Sequence, residues 1–234
     1  MRKRKIKKVN DIQNPNINNV IGFKNKLKPR TINQKQYIRD IAENTITFCQ
    51  GAAGSGKTHI AIGMALEYLI DQKVDKIIIT RPVVEAGERL GFLPGTAEEK
   101  LHPYLLPIYD EINYFLHIQH YAKMKVDRKL EVVPLGLMRG RSFHKSFIVA
   151  DECQNASYEQ IKMLLTRIGI DSKMVLTGDI GQSDLDYDRQ GGFYKISSQL
   201  NNLDQVGFSQ LETSDIVRNP IIASVINRLD NLRQ

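Results

Sequence analysis

Apolar residues along the chain alternate between short uninterrupted runs and longer stretches with helical spacing. The short runs are typical of strands buried on both faces, whereas the longer stretches repeat their apolar positions about every 3.6 residues. Strands are therefore predicted at 46–50, 76–80, 131–134, 146–150, 173–178 and 206–212, and helices at 59–70, 98–121, 157–169 and after Pro220. Strands that alternate with helices predict an α/β fold, a parallel sheet with helices on both faces.

Individual residues predict where the helices are interrupted. Pro103 and Pro107 are expected to break the long helical region, because proline removes a backbone hydrogen-bond donor. Ser157 and Gln160, three residues apart, form a capping box that marks the first turn of the predicted helix 157–169. Gly169 is predicted to cap the carboxyl end of that helix, because glycine readily adopts the left-handed conformation.

The net charge of +7 is concentrated at the amino end. Residues 1–30 hold ten basic residues and the single acid Asp11, a net charge of +9, and they show no sustained apolar period. We therefore expect a basic, mostly disordered leader with one extended piece at 1–30 and a single folded domain at 31–234. The leader is a candidate arm for phosphate backbones, and a solvated tail is the alternative.

Composition narrows the classes of protein. No apolar run approaches the ~20 residues that span a bilayer, and no apolar block follows the basic start to form a secretory signal. Cys49 and Cys153 cannot build a disulfide framework, so a cytoplasmic location, reduced thiols and no membrane partner are expected. The histidines lack the cysteine partners and the spacing of a zinc site.

Residues 51–58 fit the phosphate-binding pattern G-x-x-x-x-G-K-[ST], the Walker A motif. They follow a predicted strand and open a predicted helix, so that backbone N–H groups and the helix N-terminus face a phosphate. Lys57 is predicted to reach the β- and γ-phosphates of ATP, and Thr58 to offer its hydroxyl to Mg²⁺. The predicted nucleotide-binding residues here are Gly51, Ala52, Ala53, Gly54, Ser55, Gly56, Lys57, Thr58 and His59.

Polar residues follow two further predicted strands, at the sheet edge where ligands of open α/β folds bind. Asp151 is predicted to hold the Mg²⁺ water shell and Glu152 to polarise the attacking water, with a solvated strand-end pair as the alternative. Gln182, in the segment GDIGQ, is predicted to sense the γ-phosphate, with an ordinary polar loop as the alternative.

An amide in the segment before the P-loop is a candidate contact for adenine. A glutamine offers one donor and one acceptor group, which matches the N6 and N7 edge of the base. Gln34 is preferred, because Tyr37 and Ile38 then anchor its helix three and four residues later. Gln36 is the alternative residue, and an ordinary polar helix start is the alternative interpretation.

Together these motifs resemble the PhoH family, in the same order along the chain. The similar segments, from about Gln34 to Pro220, are CQGAAGSGKT, TRPVVEAGERLGFLPGTAEEKLHPYLLPIYD, VVPLGLMRGRSF, FIVADECQNAS, KMLLTRIG, TGDIGQSDL and DIVRNP. That family resembles the first motor domain of superfamily-one helicases. The resemblance implies a RecA-like P-loop NTPase, ATP and Mg²⁺ as cofactors, and an ATPase coupled to RNA binding or unwinding. Cys153 departs from the usual Ala or Ser, which a small buried thiol can replace.

The resemblance also implies partners. Longer family members carry an N-terminal PIN nuclease domain, and residues 1–30 are too few for one, so we expect a short form without nuclease activity. Helicases of this type hold ATP between two motor domains, whereas 31–234 has room for one. We therefore expect a homo-oligomeric ring, with a hexamer favoured, that binds single-stranded RNA, with DNA as the alternative.

Arginines are candidates for stabilising negative charge on the γ-phosphate. The resemblance favours Arg218 as the nucleotide contact, with Arg139 and Arg141 next as nucleic-acid or finger residues, and Arg81 and Arg167 also open. The predicted catalytic residues are thus Lys57, Glu152, Gln182 and Arg218. Two other functions stay open: a P-loop small-molecule kinase, and a nucleotide-dependent assembly protein with little turnover.

Overall fold

The computed structural model describes residues 22–82, 97–179, 181, 191–216 and 228. The strands are β1 (Ile46–Gly51), β2 (Lys76–Arg81), β3 (Leu130–Pro134), β4 (Ser146–Ala150), β5 (Lys173–Gly178) and β6 (Val206–Leu211). Within the described residues they form one sheet in the order β3-β2-β4-β5-β1-β6, and each neighbouring pair is parallel. All the strands therefore end at the same edge.

The helices that connect the strands are α1 (Ile32–Glu43), α2 (Lys57–Ile70), α3 (Ala97–Phe115), α4 (Ile118–Val126), α5 (Tyr158–Leu165) and α6 (Gly192–Leu200). Short 3₁₀ turns lie at Leu135–Met138, Cys153–Asn155 and Thr213–Asp215. None of the helices in this described part is long and apolar enough to cross a membrane.

Alternate side chains of the strands enter two separate apolar cores. Ile77 and Ile79 of β2 pack with buried residues of α1 to α4, whereas Ile78 packs with those of α5 and α6. This division follows from the two-residue period of a strand, which sends successive side chains to opposite faces. It confirms the predicted α/β fold with a parallel sheet covered by helices on both faces.

The six predicted strands agree with the structure to within one residue at each end, and the predicted helix 59–70 lies within α2. Helix α6 was not among the predicted elements. The helix expected after Pro220 lies outside the described residues.

The expected breaks at Pro103 and Pro107 were wrong. Helix α3 continues through both prolines and ends at Phe115, and α4 begins after His117. The prolines are four residues apart, and both are exposed. Because residues four apart lie on one helix face, the carbonyls that lose a hydrogen bond there can be hydrated.

The predicted carboxyl end of the helix at 157–169 was also wrong, although its capping box at Ser157 and Gln160 is confirmed. Helix α5 stops at Leu165, and Gly169 lies beyond it. Gly169 is needed for a different reason, because a Cβ atom there would lie 2.5 Å from the carbonyl oxygen of Phe143. The close approach joins this segment to the one that leads into β4.

Residues 22–30, the end of the predicted leader, run along the folded body. Phe23 forms an antiparallel bridge with Leu116, and Lys24 N donates to Phe115 O over 2.8 Å. Leu27 packs against the core on the α1 to α4 side. The rest of the leader, 1–21, lies outside the described residues.

Candidate nucleotide site at the carboxyl edge of the sheet

The P-loop connects β1 to the first turn of α2. Gly54 and Gly56 have φ values of 82° and 97°, in the left-handed region that glycine adopts without strain. Ser55 between them is fully buried, and its Oγ donates to Ala52 O over 2.8 Å. The loop therefore closes on itself and leads directly into the N-terminus of α2, whose first N–H groups have no helical partner and suit an anion.

Lys57 places its ammonium group over this loop. The side chain is only 8% exposed, and Nζ donates to Gly51 O over 2.6 Å and to Ala52 O over 2.9 Å. The cation is thus held at the loop by neutral carbonyls. A phosphate brought to the loop would offer it a stronger, charged acceptor.

Asp151 joins the P-loop to the middle of the sheet. Its Oδ1 accepts from Thr58 Oγ1 over 2.6 Å and from Thr177 Oγ1 over 2.7 Å, and the residue is 3% exposed. The order of strands explains this contact, because β5 lies between β1 and β4 and brings its last residues against both. Thr177 therefore joins Thr58 and Asp151, the two residues that the sequence predicts at the Mg²⁺ site.

Glu152 has an unusual backbone, with φ 55° and ψ 40° in the left-handed region. For a residue other than glycine such a conformation costs on the order of 1 kcal/mol and persists only where its neighbours hold it. Gln154 Nε2 donates to Glu152 Oε2 over 2.5 Å, and Arg81 NH2 lies 3.7 Å from Glu152 Oε1. Arg81 NH1 also lies 3.9 Å from Asp151 Oδ2, so one arginine faces both acids.

Gln34 lies against the P-loop, as the sequence predicts, but its amide is occupied by backbone groups. Nε2 donates to Ser55 O over 2.9 Å and to Asp215 O over 3.4 Å, while Oε1 accepts from Arg30 N over 2.8 Å. The residue is 6% exposed. Gln36, the alternative, is exposed on α1 and bonds within that helix. The adenine contact stays a prediction.

His59 directs its ring toward α3. Its Nδ1 lies 2.8 Å from Glu111 Oε2, and its ring packs on Tyr114 and Phe115 with centroid distances of 4.9 and 4.6 Å. The side chain is therefore used in packing α2 against α3. Any contact of His59 with a nucleotide would come from its backbone.

The candidate arginines divide into two groups. Arg141 makes a two-pronged pair with Glu131, over 2.5 and 2.6 Å, and these hydrogen bonds lower the pKa of the Glu131 carboxyl. Arg167 donates to the backbone oxygens of Met163 and Arg141. Both guanidinium groups thus have structural partners, whereas Arg139 is exposed. Gln182 and Arg218 lie outside the described residues.

Two residues of this site had no role in the sequence-based prediction. Thr177 ends a buried strand, and Gln154 follows the acidic pair. The signal for Thr177 was its position, because a hydroxyl at the carboxyl end of a parallel strand faces the ligand edge. Gln154 carried no comparable signal, since its contact depends on how the chain turns after Glu152.

Comparisons with known proteins agree with this arrangement. The family model described as PhoH-like protein matches residues 26–230. The chain is 40% identical to a PhoH-like protein of Synechocystis sp. over 200 residues. This alignment covers 86% of this chain and 61% of that protein. It is 43% identical over 201 residues to a PhoH-like protein of Mycobacterium tuberculosis, with 86% and 57% covered. The chain thus spans less than two thirds of these relatives.

Among solved structures, the chain is similar to the Pyrococcus furiosus Hef helicase domain, with a TM-score of 0.47, 14% identity, and 79% of this chain and 39% of that chain covered. The relatives matched by sequence are 40% and 43% identical to this chain, whereas the aligned residues of this solved structure are 14% identical. On the sequence match, the chain belongs to the PhoH-like protein family, and its described residues form a parallel α/β sheet with a P-loop between β1 and α2.

Proposed function

We propose that this chain binds ATP with Mg²⁺ at the P-loop and hydrolyses it, and that hydrolysis is coupled to binding of single-stranded RNA. The observation that supports the chemistry best is the Asp151 carboxylate, which accepts from both Thr58 and Thr177 beside Glu152. A hydroxyl from the P-loop helix and a carboxylate from a neighbouring strand are the protein groups that a nucleotide-bound Mg²⁺ needs.

The donor set fits Mg²⁺ rather than a transition metal. Thr58 and Asp151 offer hard oxygen atoms, and no group of three or more His, Cys, Asp or Glu side chains that could hold a metal occurs among the described residues. Mg²⁺ usually keeps several waters and binds one or two protein oxygens plus phosphates. When bound, it would neutralise charge on the β- and γ-phosphates.

The chain's own residues supply the remaining steps. Lys57 would exchange its two carbonyl partners for phosphate oxygens, which gives the ammonium a charged acceptor. Glu152, held by Gln154, would orient and polarise the attacking water. Thr177 would hold the Asp151 carboxylate in place through its hydrogen bond to Oδ1.

We further propose that the subunits form a homo-oligomeric ring, with six as the favoured number. Arg141 and Arg167 are held by structural partners, and Arg81 faces the acidic pair. An arginine from a neighbouring subunit would then stabilise the negative charge on the γ-phosphate, as in other nucleotide hydrolases. A head-to-tail interface that places such a residue repeats until it closes.

Steady-state ATP hydrolysis tests the proposal directly. We expect turnover that depends on Mg²⁺, rises with single-stranded RNA and is lost in Lys57→Ala. Lys145→Ala, an exposed lysine outside the site, is the matched control. Hydrolysis that continues in Lys57→Ala would refute the assignment of the site. A rate that changes with neither RNA nor DNA would refute the coupling of hydrolysis to nucleic-acid binding.

Assembly is measured separately. Light scattering with and without ATP gives the particle mass, and a monomer under both conditions would contradict the ring. ATP-dependent assembly without turnover would instead favour the nucleotide-dependent assembly protein.

A further inference from the structure

Cationic side chains alternate with inward-facing ones along residues 22–30. Lys24, Lys26, Lys28 and Arg30 are exposed, whereas the residues between them are partly buried against the body. This two-residue alternation is typical of an extended segment with one face on the protein and one in water. We call the four exposed cations Lys24, Lys26, Lys28 and Arg30 the basic rail.

The inward-facing residues fasten the segment to the helices. Asn25 Nδ2 donates to Tyr114 O over 2.7 Å. Leu27 occupies the space beside Gly63 of α2, where an added Cβ would lie 2.9 Å from Leu27 Cδ1 and 3.0 Å from Phe115. The small residue inside α2 is thus what lets the segment lie close, and the outward direction of the basic rail follows from these contacts.

The cations of the basic rail are available to a ligand. None of them forms an ion pair with another residue in the part of the chain that the structure describes. Glu67 of α2 is the acid near enough to interact with Lys26, and it is partly buried. Four like charges beside a single partly buried acid attract a polyanion, which releases its bound counterions on binding.

We propose that the basic rail binds the phosphates of a single nucleic-acid strand, an inference that rests on the proposed RNA-dependent function. The Cα atoms of residues two apart on an extended segment are at most ~7 Å apart, a spacing of the same order as that of phosphates along an extended strand. A membrane surface fits less well, because the exposed face of the segment carries no apolar side chain to enter the lipid.

The segment that carries the basic rail contacts α2 directly and the P-loop through Gln34, which connects bound RNA to the nucleotide site. Arg30 N donates to Gln34 Oε1, and Gln34 Nε2 donates to Ser55 O in the P-loop. Leu27 contacts α2 at Gly63. An RNA strand bound to the basic rail would therefore affect the position of the P-loop and of α2 through these contacts. We expect RNA to lower the concentration of ATP needed for turnover.

Fluorescence anisotropy with a labelled oligouridylate of about 20 nucleotides tests the proposal. The rail variant combines Lys24→Gln, Lys26→Gln and Lys28→Gln. The control variant removes the same charge from other elements, with the exposed residues Lys162→Gln of α5, Lys195→Gln of α6 and Lys145→Gln just before β4. Affinity is measured at about 0.05 and 0.2 M NaCl, since the salt slope counts phosphate contacts.

We expect the rail variant to bind about tenfold or more weakly, with a salt slope smaller by about 2, and the control variant to stay near wild type. The rail variant should also lose affinity for an oligodeoxythymidylate, because the proposed contacts are with phosphates, which DNA and RNA share. Equal losses of affinity in the rail and control variants would overturn the proposal that the basic rail binds nucleic acid. A wild-type protein that binds neither oligonucleotide would overturn it as well.

The two proposals can fail independently. If ATP is not hydrolysed but the rail variant still loses RNA, the proposed ATPase fails and the basic rail stands. If turnover responds to RNA equally in the rail and control variants, the basic rail fails and the ATPase stands.

Discussion

The side-chain amide of Gln154 joins Glu152 to the neighbouring strand. Its Nε2 donates to Glu152 Oε2 over 2.5 Å, and its Oε1 accepts from the backbone N–H of Asp179 over 3.0 Å, just beyond β5. Because Glu152 also has a left-handed backbone, this amide is a strong restraint on where its carboxylate lies. Gln154 is therefore a positioning residue that acts through Glu152.

Gln154→Ala should slow ATP hydrolysis about tenfold or more, because misplacement of a catalytic carboxylate lowers the rate without removing the group. ATP affinity should change little, since the Gln154 amide bonds to Glu152 and to the backbone just beyond β5. Single-turnover hydrolysis and nucleotide binding measure the two effects. Gln119→Ala, at an exposed position of α4, is the control. A loss of affinity equal to the loss of rate would contradict the positioning role.

Thr177→Val should destabilise the fold and weaken the response to Mg²⁺. The change keeps the shape of the side chain but removes one of the two hydroxyl donors to Asp151, a buried carboxylate. A lost hydrogen bond to such a group costs about 1–3 kcal/mol. Urea unfolding measures the stability, and Mg²⁺ titration of turnover measures the response.

Thr177→Ser is the matched control, because it keeps the hydroxyl. If serine and valine lower stability by the same amount, the methyl packing of Thr177 matters and its hydroxyl does not.

Arg141→Gln should lower stability by up to about 1 kcal/mol, since the Arg141 and Glu131 side chains are 34% and 40% exposed and water screens their pairing. The hydrogen bonds from Arg141 lower the pKa of Glu131 below its ordinary value of 4.5. Stability from this pair is therefore present above pH 4.5 and is lost as the pH falls through the lowered pKa. Thermal unfolding across that range measures it.

RNA affinity decides between the two roles of Arg141. The structural pair predicts that Arg141→Gln binds RNA as wild type does. A large, salt-dependent loss of RNA affinity would restore the sequence-based prediction of a nucleic-acid contact.

Both thiols should be inert in the native protein. Burial raises the pKa of Cys49, and burial followed by the nearby charges of Asp151 and Glu152 raises the pKa of Cys153. Only the thiolate reacts with alkylating reagents, so iodoacetamide should modify neither residue until the protein unfolds. Mass spectrometry with and without urea checks this. Rapid labelling of native Cys153 would show that the segment after β4 opens.

Most of the fold follows from local pattern. The apolar runs at β2, β4 and β5 are buried on both faces, so each predicts a central strand in isolation. The P-loop is equally local, because Gly54 and Gly56 need left-handed backbones whatever surrounds them. The acidic pair was predicted because it directly ends a strand.

Contacts between distant segments were decided only by the tertiary structure. Helix α3 tolerates two prolines because both face water, and Gly169 serves a close approach to Phe143 rather than a helix cap. Neither environment is visible in the residues nearby. Arg141 shows the same limit, since a basic residue in a loop predicts a ligand contact until a neighbouring strand supplies Glu131.

The sequence by itself determined the strands, the phosphate loop and the two acids, because burial periodicity and backbone geometry are properties of short segments. The tertiary structure decided which groups meet. Strand order placed Thr177 on Asp151, a turn placed Gln154 on Glu152, and the packing of Leu27 beside Gly63 turned four cations outward. These contacts depend on the distance between side chains remote in sequence, which only the folded chain defines.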